Sequence, residues 1–378
     1  MCVRRVFSSC LLIAGSLWWS GAWAASVVFL NPGSAPDPYW SSYSRFMQSA
    51  ADKLGISLQV RYTDRDTRTL LGYAREALQG NHRPDYLVFS NELNVAPEIL
   101  RLSVGSGVKL MAVNNTFTVT QLEILGDLGE RYPDFLGSLV ANDEEGGYLA
   151  AKSLIAQLPH VAAGQTTEML AFSATNSTPV SLQREQGLYR ALAESPQVRL
   201  RQIVLGGWRR DRAQEQARVL LKRYPDIRLI WAANDLMAFG AMDAVQELGK
   251  QPGKDVLFAS INNSTQALQA QLEGRLNVVV GGHFTLGGWA LVLLHDYDQA
   301  DPATRQPIGS LQVRAMRIME RRDALHYIEA NQRDDYGIDV RQFTHRHSPP
   351  GVDSPFSPIA PGMSGREMND QLHDAKQP

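Results

Sequence analysis

The chain contains very few cysteines and carries no excess of charge of one sign. Its two cysteines among 378 residues, Cys2 and Cys10, both lie within the first ten positions. The remaining residues therefore offer neither a disulfide framework nor thiol chemistry. The 37 basic and 39 acidic residues nearly cancel, giving a formal net charge of −2. This balance indicates neither nucleic acid nor an anionic membrane surface as a partner.

Recognisable catalytic motifs are also missing from the sequence. It has no nucleophile elbow, phosphate-binding loop or His-Glu-x-x-His, and Gly146-Gly147 lacks the spacing of a dinucleotide fingerprint. His345 and His347 would supply at most two metal ligands. The Glu144-Glu145 pair stands at a predicted helix start, where the helix dipole accounts for it. We therefore predict no enzyme activity, no cofactor and no bound metal.

The first 24 residues have the pattern of an export signal. Arg4-Arg5 precedes an apolar run from Val6 to Trp19, and Ala22-Trp23-Ala24 is typical of a cleavage site. The apolar run is shorter than the roughly 20 residues that a membrane span requires. We predict that residues 1–24 are a signal peptide, cleaved near Ala24, and that the mature chain lies in the periplasm.

The sequence repeats one pattern, with residues 26–115 and 168–263 related by an offset of about 143. Each copy alternates apolar strands with helices, and its later strands end at polar residues. These residues are Asn91-Glu92, Asn114-Asn115, Asn234-Asp235 and Asn262-Asn263. The alternation predicts an α/β fold with two similar lobes, each a doubly wound parallel sheet flanked by helices. Because ligands bind beyond the carboxyl ends of such strands, we expect a cleft between the lobes.

The segments outside the repeat are predicted one by one. Residues 117–134 form a polar connection, Phe135–Ala141 and Leu311–Met319 are strands, and Arg322–Asn331 is a helix. The glycine pairs at 281–282 and 287–288 allow either close approach to a ligand or tight packing. Residues 345–378 are rich in Pro, Ser and Gly, and we predict a disordered tail.

Four motifs resemble, in chain order, those of the type I periplasmic binding proteins, the ribose- and galactose-binding solute receptors of ABC importers. They are Asp37-Pro38-Tyr39-Trp40, Asn142 to Gly147, Arg184 to Leu188 and Asn234 to Ala241. The resemblance covers roughly residues 26–320. It implies lobes that close around a ligand on a three-strand hinge, with crossings near Ala141, His283 and Leu311. The implied lobes are residues 25–140 plus 284–311 and residues 141–283 plus 312–344.

The candidate ligand contacts fall into three groups. Tyr39, Trp40 and Trp208 offer apolar faces for stacking, although each could instead fill a gap in the core. Arg184 lies at a predicted helix start, where a cation gains nothing from the helix dipole; it serves a ligand or an ordinary ion pair. The predicted polar contacts are Asn114, Asn115, Asn234, Asn262 and His283, and Asp37 and Ala141 complete the predicted site.

The predicted site departs from the sugar receptors it resembles. Those receptors usually carry Asp-Arg in place of Asn114-Asn115 and Asp in place of Asn262. An uncharged amide offers donors where a carboxylate offers only acceptors, so Arg184 is expected to have fewer neutralising partners. This shifts the expected ligand towards a modified sugar, a polyol derivative or an anionic or boronate-like signal. His283 either contacts the ligand and titrates or is a structural histidine.

We therefore predict a periplasmic solute-binding protein that captures a small polar ligand, a sugar or sugar-like molecule, for an ABC importer. The alternative is a ligand-sensing receptor that regulates a transmembrane kinase or cyclase. The expected partners are the ligand and an inner-membrane permease or sensor protein. We expect a monomer that binds no nucleic acid.

Overall fold

The computed structural model describes residues 25–159 and 165–344. The predicted signal peptide and the predicted disordered tail lie outside the described residues, so both stay predictions. Within the described ranges, the helices all fall short of the length and apolarity needed to cross a bilayer.

Twelve strands in the described ranges form two six-stranded sheets. The strands are β1 (Ser26–Asn31), β2 (Ser57–Tyr62), β3 (Tyr86–Phe89), β4 (Lys109–Val113), β5 (Phe135–Ala141), β6 (Thr167–Ser173), β7 (Val198–Leu205), β8 (Ile227–Ala232), β9 (Leu257–Ile261), β10 (Val278–Gly281), β11 (Gly309–Val313) and β12 (Arg317–Ile318). The first sheet has the order β11-β5-β4-β3-β1-β2 and is parallel throughout. The second has the order β12-β10-β9-β8-β6-β7, with β12 antiparallel to β10.

Twelve α-helices in the same ranges flank the sheets. They are α1 (Pro38–Leu54), α2 (Thr67–Gln79), α3 (Ala96–Ser103), α4 (Val119–Leu125), α5 (Leu128–Arg131), α6 (Asp143–Ile155), α7 (Pro179–Ala193), α8 (Arg210–Arg223), α9 (Asp235–Glu247), α10 (Thr265–Leu272), α11 (Leu286–Gln299) and α12 (Arg321–Ala330). The Asp37 carboxylate accepts from the backbone N–H groups of Tyr39 and Trp40 and so begins α1. The predicted fold class, two α/β lobes with flanking helices, is confirmed.

Two segments differ from the predicted secondary structure. Residues 117–134 contain α4 and α5 rather than an irregular connection, because Thr118 and Gln121 form a capping box and Asp127 caps the next turn. Leu311–Met319, predicted as one strand, contains two short strands in different sheets. β11 pairs with β5 through Val313, and β12 pairs with β10.

Within residues 25–159 and 165–344, the chain passes between the sheets three times. It leaves the first sheet after β5, returns after β10, and crosses again between β11 and β12. Because Val313 still pairs with Ala141, the third passage follows Val313 instead of Leu311. These three passages place the carboxyl ends of the central strands of both sheets on either side of one cleft.

The last described residues pack on the first lobe. We call residues 331–344 the C-terminal strap; they were predicted to belong to the second lobe. Within the strap, Asp335 pairs with Lys53 of α1 at 2.9 Å. The Phe343 ring lies 5.1 Å from the Trp289 ring of α11. The strap therefore brings the chain back across the cleft after α12, which packs on α10.

The glycines of α11 serve packing between helices. A Cβ atom on Gly287 would lie 2.4 Å from the Tyr43 ring, and one on Gly288 would lie 2.4 Å from the Phe46 ring. Both distances are far below van der Waals contact, so α11 approaches α1 closely only with glycine at these positions. Of the two alternatives left open by the sequence, tight packing applies to this pair.

Candidate ligand-binding site

A cavity lies between the two lobes, at the carboxyl ends of their strands. Its empty volume, counted with the solvent space at its mouth, is about 380 Å³. Its lining residues are Asp37, Tyr39, Trp40, Arg65, Glu92, Asn114, Asn115, Val180, Arg184, Trp208, Asn234, Asn262 and His283. Of the predicted site residues, only Ala141 is not part of this lining; it ends β5 and is buried.

The strand ends aim their side chains at the cavity through unusual backbone conformations. Asn114 follows β4 with φ of 64°, and Asn262 follows β9 with φ of 86°. Asn adopts this left-handed region more readily than most residues. Trp208, in the loop after β7, has φ of 64° and lies in the same left-handed region. The chain thus turns sharply at each of these positions, on the edge that both lobes present to the cavity.

Arg184 is held by a buried carboxylate that the sequence analysis missed. Its Nε atom lies 2.8 Å from Oδ1 of Asp143, and its Nη1 atom donates to the Ala233 carbonyl at 2.7 Å. Arg184, expected to have fewer neutralising partners than in the sugar receptors, thus has one in Asp143. The prediction that Arg184 lies at a helix start is wrong, because α7 begins at Pro179. The motif starting at Asn142 contains Asp143, but only its Glu144-Glu145 pair was considered, and that pair was attributed to the helix dipole.

His283 is fixed as a neutral ring. Its Nε2 atom lies 3.1 Å from Nη2 of Arg184, and since a guanidinium group only donates, Nε2 accepts and the ring proton resides on Nδ1. Burial, aided by the charge of Arg184, lowers the pKa of His283 well below its ordinary value. Titration of this residue near neutral pH, one of the two predicted alternatives, is not supported. Among the described residues, no acceptor lies within reach of Nδ1.

The three predicted aromatic residues differ in their surroundings. The Tyr39 hydroxyl donates to Oδ1 of Asn114 at 2.8 Å, and its ring lies 4.9 Å from the His283 ring. The Trp40 ring lies 5.2 Å from the fully buried Tyr43 and is part of the core as well as the lining. The guanidinium group of Arg184 lies 5.6 Å from the Trp208 ring, over its face. Within the described part of the chain, the buried Nε1 atom of Trp208 has no hydrogen-bond partner.

The remaining amides already make hydrogen bonds within the protein. Asn234 caps α9 by accepting from the Met237 N–H, and its Nδ2 atom donates to the Trp208 carbonyl at 3.2 Å. The Nδ2 atom of Asn262 donates to Asp235 at 3.1 Å. These bonds fix the orientation of both side chains and leave only part of their hydrogen-bonding capacity for another molecule.

Sequence reasoning missed three further lining residues: Arg65, Glu92 and Val180. Arg65 lies 2.9 Å from Glu92 and 3.5 Å from Asp37, so one guanidinium joins two carboxylates of the first lobe. Glu92 was visible as part of the Asn91-Glu92 strand end but was not selected. Arg65, in the loop after β2, had no sequence signal.

Comparison with known proteins decides the family. Residues 27–300 match the family described as periplasmic binding protein domain.

The chain belongs to the periplasmic binding protein family. The D-allose-binding periplasmic protein of Escherichia coli K12 is 22% identical over 78% of this chain and 91% of its own length. The galactofuranose-binding protein of the same organism is 26% identical over 35% of this chain, a match that spans 43% of that relative. A periplasmic sugar-binding protein from Pseudomonas fluorescens has a similar crystal structure. It is 46% identical, with a TM-score of 0.78 over 88% of this chain and 98% of that one.

The resemblance drawn from the four motifs is thus confirmed, and the relatives named here are binding proteins for sugars. More distant structures agree in fold alone. One of them is a galactofuranose-binding protein that is 19% identical, with a TM-score of 0.70 over 82% of this chain.

Proposed function

We propose that this periplasmic binding protein captures a small, uncharged sugar or sugar-like molecule in the interlobe cavity and delivers it to an ABC importer. The observation that carries the proposal is the cavity itself, where aromatic rings and polar side chains from both lobes converge. Tyr39 belongs to the first lobe, and Trp208 and Arg184 belong to the second. Sugars suit such a site because their ring faces pack on aromatic rings while their hydroxyl groups form hydrogen bonds. The 46% identical periplasmic sugar-binding protein from Pseudomonas fluorescens supports the same class.

The charges around the cavity favour a neutral ligand. Arg184 is paired with Asp143, and Arg65 is paired with Glu92 and approaches Asp37. Three carboxylates thus face two guanidinium groups, so the lining offers no unmatched positive charge to an anion. This argues against the anionic and boronate-like ligands that the sequence left open and for a ligand rich in hydroxyl groups.

The proposal includes the cellular setting predicted from the sequence. Export through residues 1–24 with cleavage near Ala24 would place a monomer in the periplasm, opposite an inner-membrane permease. Binding without catalysis is what the family suggests. The sensor alternative is not favoured, because two relatives from Escherichia coli K12 are named a D-allose-binding periplasmic protein and a ribose import binding protein.

Thermal melting and calorimetric titration with a sugar panel test this function. The panel contains D-ribose, D-allose, L-arabinose and D-galactose, with gluconate as an anionic control. At least one neutral sugar should raise the melting temperature, because a ligand that binds only the folded state stabilises it by mass action. Gluconate should not. Stabilisation by gluconate alone, or by no member of the panel, would overturn the proposal.

A further inference from the structure

Asn115, predicted as a ligand contact, has both ends of its amide bonded to protein. Its Nδ2 atom donates to Oε2 of Glu92 at 3.1 Å, and its Oδ1 atom accepts from the Val180 backbone N–H at 3.0 Å. The side chain is 1% exposed. Glu92 belongs to the first lobe with Asn115, whereas Val180 belongs to α7 of the second lobe. The Asn115–Val180 bond therefore crosses the cleft.

The bond to Val180 supplies a cap that α7 does not make for itself. The first four N–H groups of a helix have no partner within the helix, and the N-cap side chain usually satisfies one of them. The N-cap residue of α7 is Thr178, whose side chain makes no capping hydrogen bond. Its hydroxyl instead lies 2.7 Å from the hydroxyl of Thr175. The cap comes from Asn115, on the opposite lobe.

We propose that Asn115 is a closure latch, a positioning residue that caps α7 across the cleft when the lobes close. This inference rests on the proposed function, in which a sugar is held between closed lobes. Opening the lobes breaks the cap and exposes a helix N-terminus that has no cap of its own. Asn115 thereby stabilises the closed state and slows the release of bound sugar.

Contacts within the first lobe orient the Asn115 side chain before the lobes close. A carboxylate can only accept, so Glu92 fixes the amide with Nδ2 towards itself and Oδ1 towards α7. Glu92 is in turn held by Arg65 at 2.9 Å, and Arg65 approaches Asp37, the cap of α1. The amide therefore loses little rotational freedom when the lobes meet. The same chain of contacts gives Arg65 and Glu92 a role at the cavity that does not require them to contact the ligand.

Hydrogen exchange of the Val180 amide, followed by NMR, tests the latch without and with bound sugar. In Asn115→Ala this amide should exchange about 2- to 12-fold faster than in the parent, the range expected for one hydrogen bond. The Leu188 amide, deep in the same helix, should change only with global stability. Asn31→Ala is the matched control, because Asn31 is also buried and its amide bonds stay within the first lobe. It should leave the Val180 amide unaffected relative to Leu188.

A double variant with unchanged net charge tests whether the cap on α7 can be restored. The Glu92→Gln/Asn115→Asp double variant swaps amide and carboxylate, keeps an acceptor for the Val180 N–H, and should restore its protection even if Asn115→Ala folds poorly. Release of bound D-allose or D-ribose, followed by stopped-flow fluorescence, should be faster by the same factor in Asn115→Ala. Equal Val180 exchange in the parent and Asn115→Ala, both without and with sugar, would overturn the latch. Failure of every sugar to bind would overturn the proposed function and the latch that rests on it, whereas equal exchange in the two sugar-bound proteins would overturn the latch alone.

Discussion

At the scale of single residues, the Arg184–Asp143 ion pair dominates the energetics of the site. Both side chains are almost fully buried, so removing either leaves an uncompensated charge in the interior. We expect Arg184→Ala to lower the free energy of unfolding by roughly 3 to 5 kcal/mol, in addition to weakening sugar binding. Urea denaturation followed by circular dichroism measures the loss.

Two comparisons show whether this cost comes from the unpaired carboxylate. The Arg184→Met/Asp143→Leu double variant removes both charges and should recover much of the lost stability. Arg209→Ala breaks an exposed pair with Asp211 and should change the unfolding free energy very little. If Arg184→Ala proved as mild as Arg209→Ala, the buried pair would not hold in solution.

His283 gives the site a pH dependence of defined sign. Its pKa is lowered in the folded protein, so below pH about 6.5 the unfolded chain takes up a proton that the folded protein refuses. Stability should therefore fall as the pH drops through this window, by up to about 1.4 kcal/mol per pH unit.

The raised pKa of Asp143 makes stability rise as the pH falls, which opposes the effect of His283. Comparing the parent with His283→Gln therefore isolates the contribution of His283 to the dependence of stability on pH. Denaturation between pH 5 and 8 should show a flatter profile for His283→Gln. His82→Gln, which alters an exposed histidine, should keep the parental slope. Identical slopes in all three proteins would show that the folded protein protonates His283 as readily as the unfolded chain does.

Trp208 should act through its indole N–H as well as its ring. The Nε1 donor is buried and unpaired within the described residues, so a bound sugar hydroxyl would relieve an unsatisfied group. Trp208→Phe keeps an aromatic ring and should weaken sugar binding about 2- to 12-fold while leaving stability nearly unchanged. Trp231→Phe is the control, because its Nε1 atom donates to the Gly147 carbonyl inside the second lobe. Trp231→Phe should lower stability without lowering affinity. If Trp208→Phe also lowered stability without weakening sugar binding, Trp208 would be a core residue.

At the scale of elements, the C-terminal strap should contribute to the stability of the fold. Tyr336 is buried, its ring lies 4.7 Å from Phe284, and its hydroxyl contacts Asn331 at 2.6 Å. Tyr336→Ala should cost roughly 3 to 5 kcal/mol, as for other large aromatic truncations. Tyr336→Phe removes only the hydroxyl and should cost about 0.5 to 1.5 kcal/mol. Calorimetric melting of both variants checks the series, and equal small shifts would mean that the strap is not packed in solution.

The sequence predicted the repeated elements well because their signals are local. The polar residues named at the ends of the repeated strands, Asn91, Asn114, Asn234 and Asn262, each lie one or two residues past a strand, and β5 outside the repeat has its predicted bounds. The strap and the division of residues 311–319 were not predicted, because both depend on contacts between residues far apart in the chain. No periodicity within Leu311–Met319 reveals that its first half pairs with β5 and its second half with β10.

At the scale of the whole molecule, the site also depends on contacts between residues far apart in the chain, which the sequence did not predict. Strand ends and aromatic loop residues were identified because their position at the carboxyl edge follows from topology alone. Their partners were not, since the pairing of Arg184 with Asp143 and of Asn115 with Val180 depends on how elements distant in sequence meet. Asn115 and Asn234 were both expected to contact a ligand. In the structure, both cap helices.

Closure of the whole molecule should couple residues that do not touch each other. Tyr39 and Trp208 line the cavity from opposite lobes, so a sugar contacts both only when the lobes are closed. Tyr39→Leu and Trp208→Leu should each weaken binding, and the double variant should lose less than the sum of the two, because once closure fails the second ring is already out of reach. Small-angle scattering should show the radius of gyration falling on addition of sugar to the parent but not to the double variant. Strictly additive losses with an unchanged radius of gyration would mean that the sugar binds to one lobe without closing the other over it.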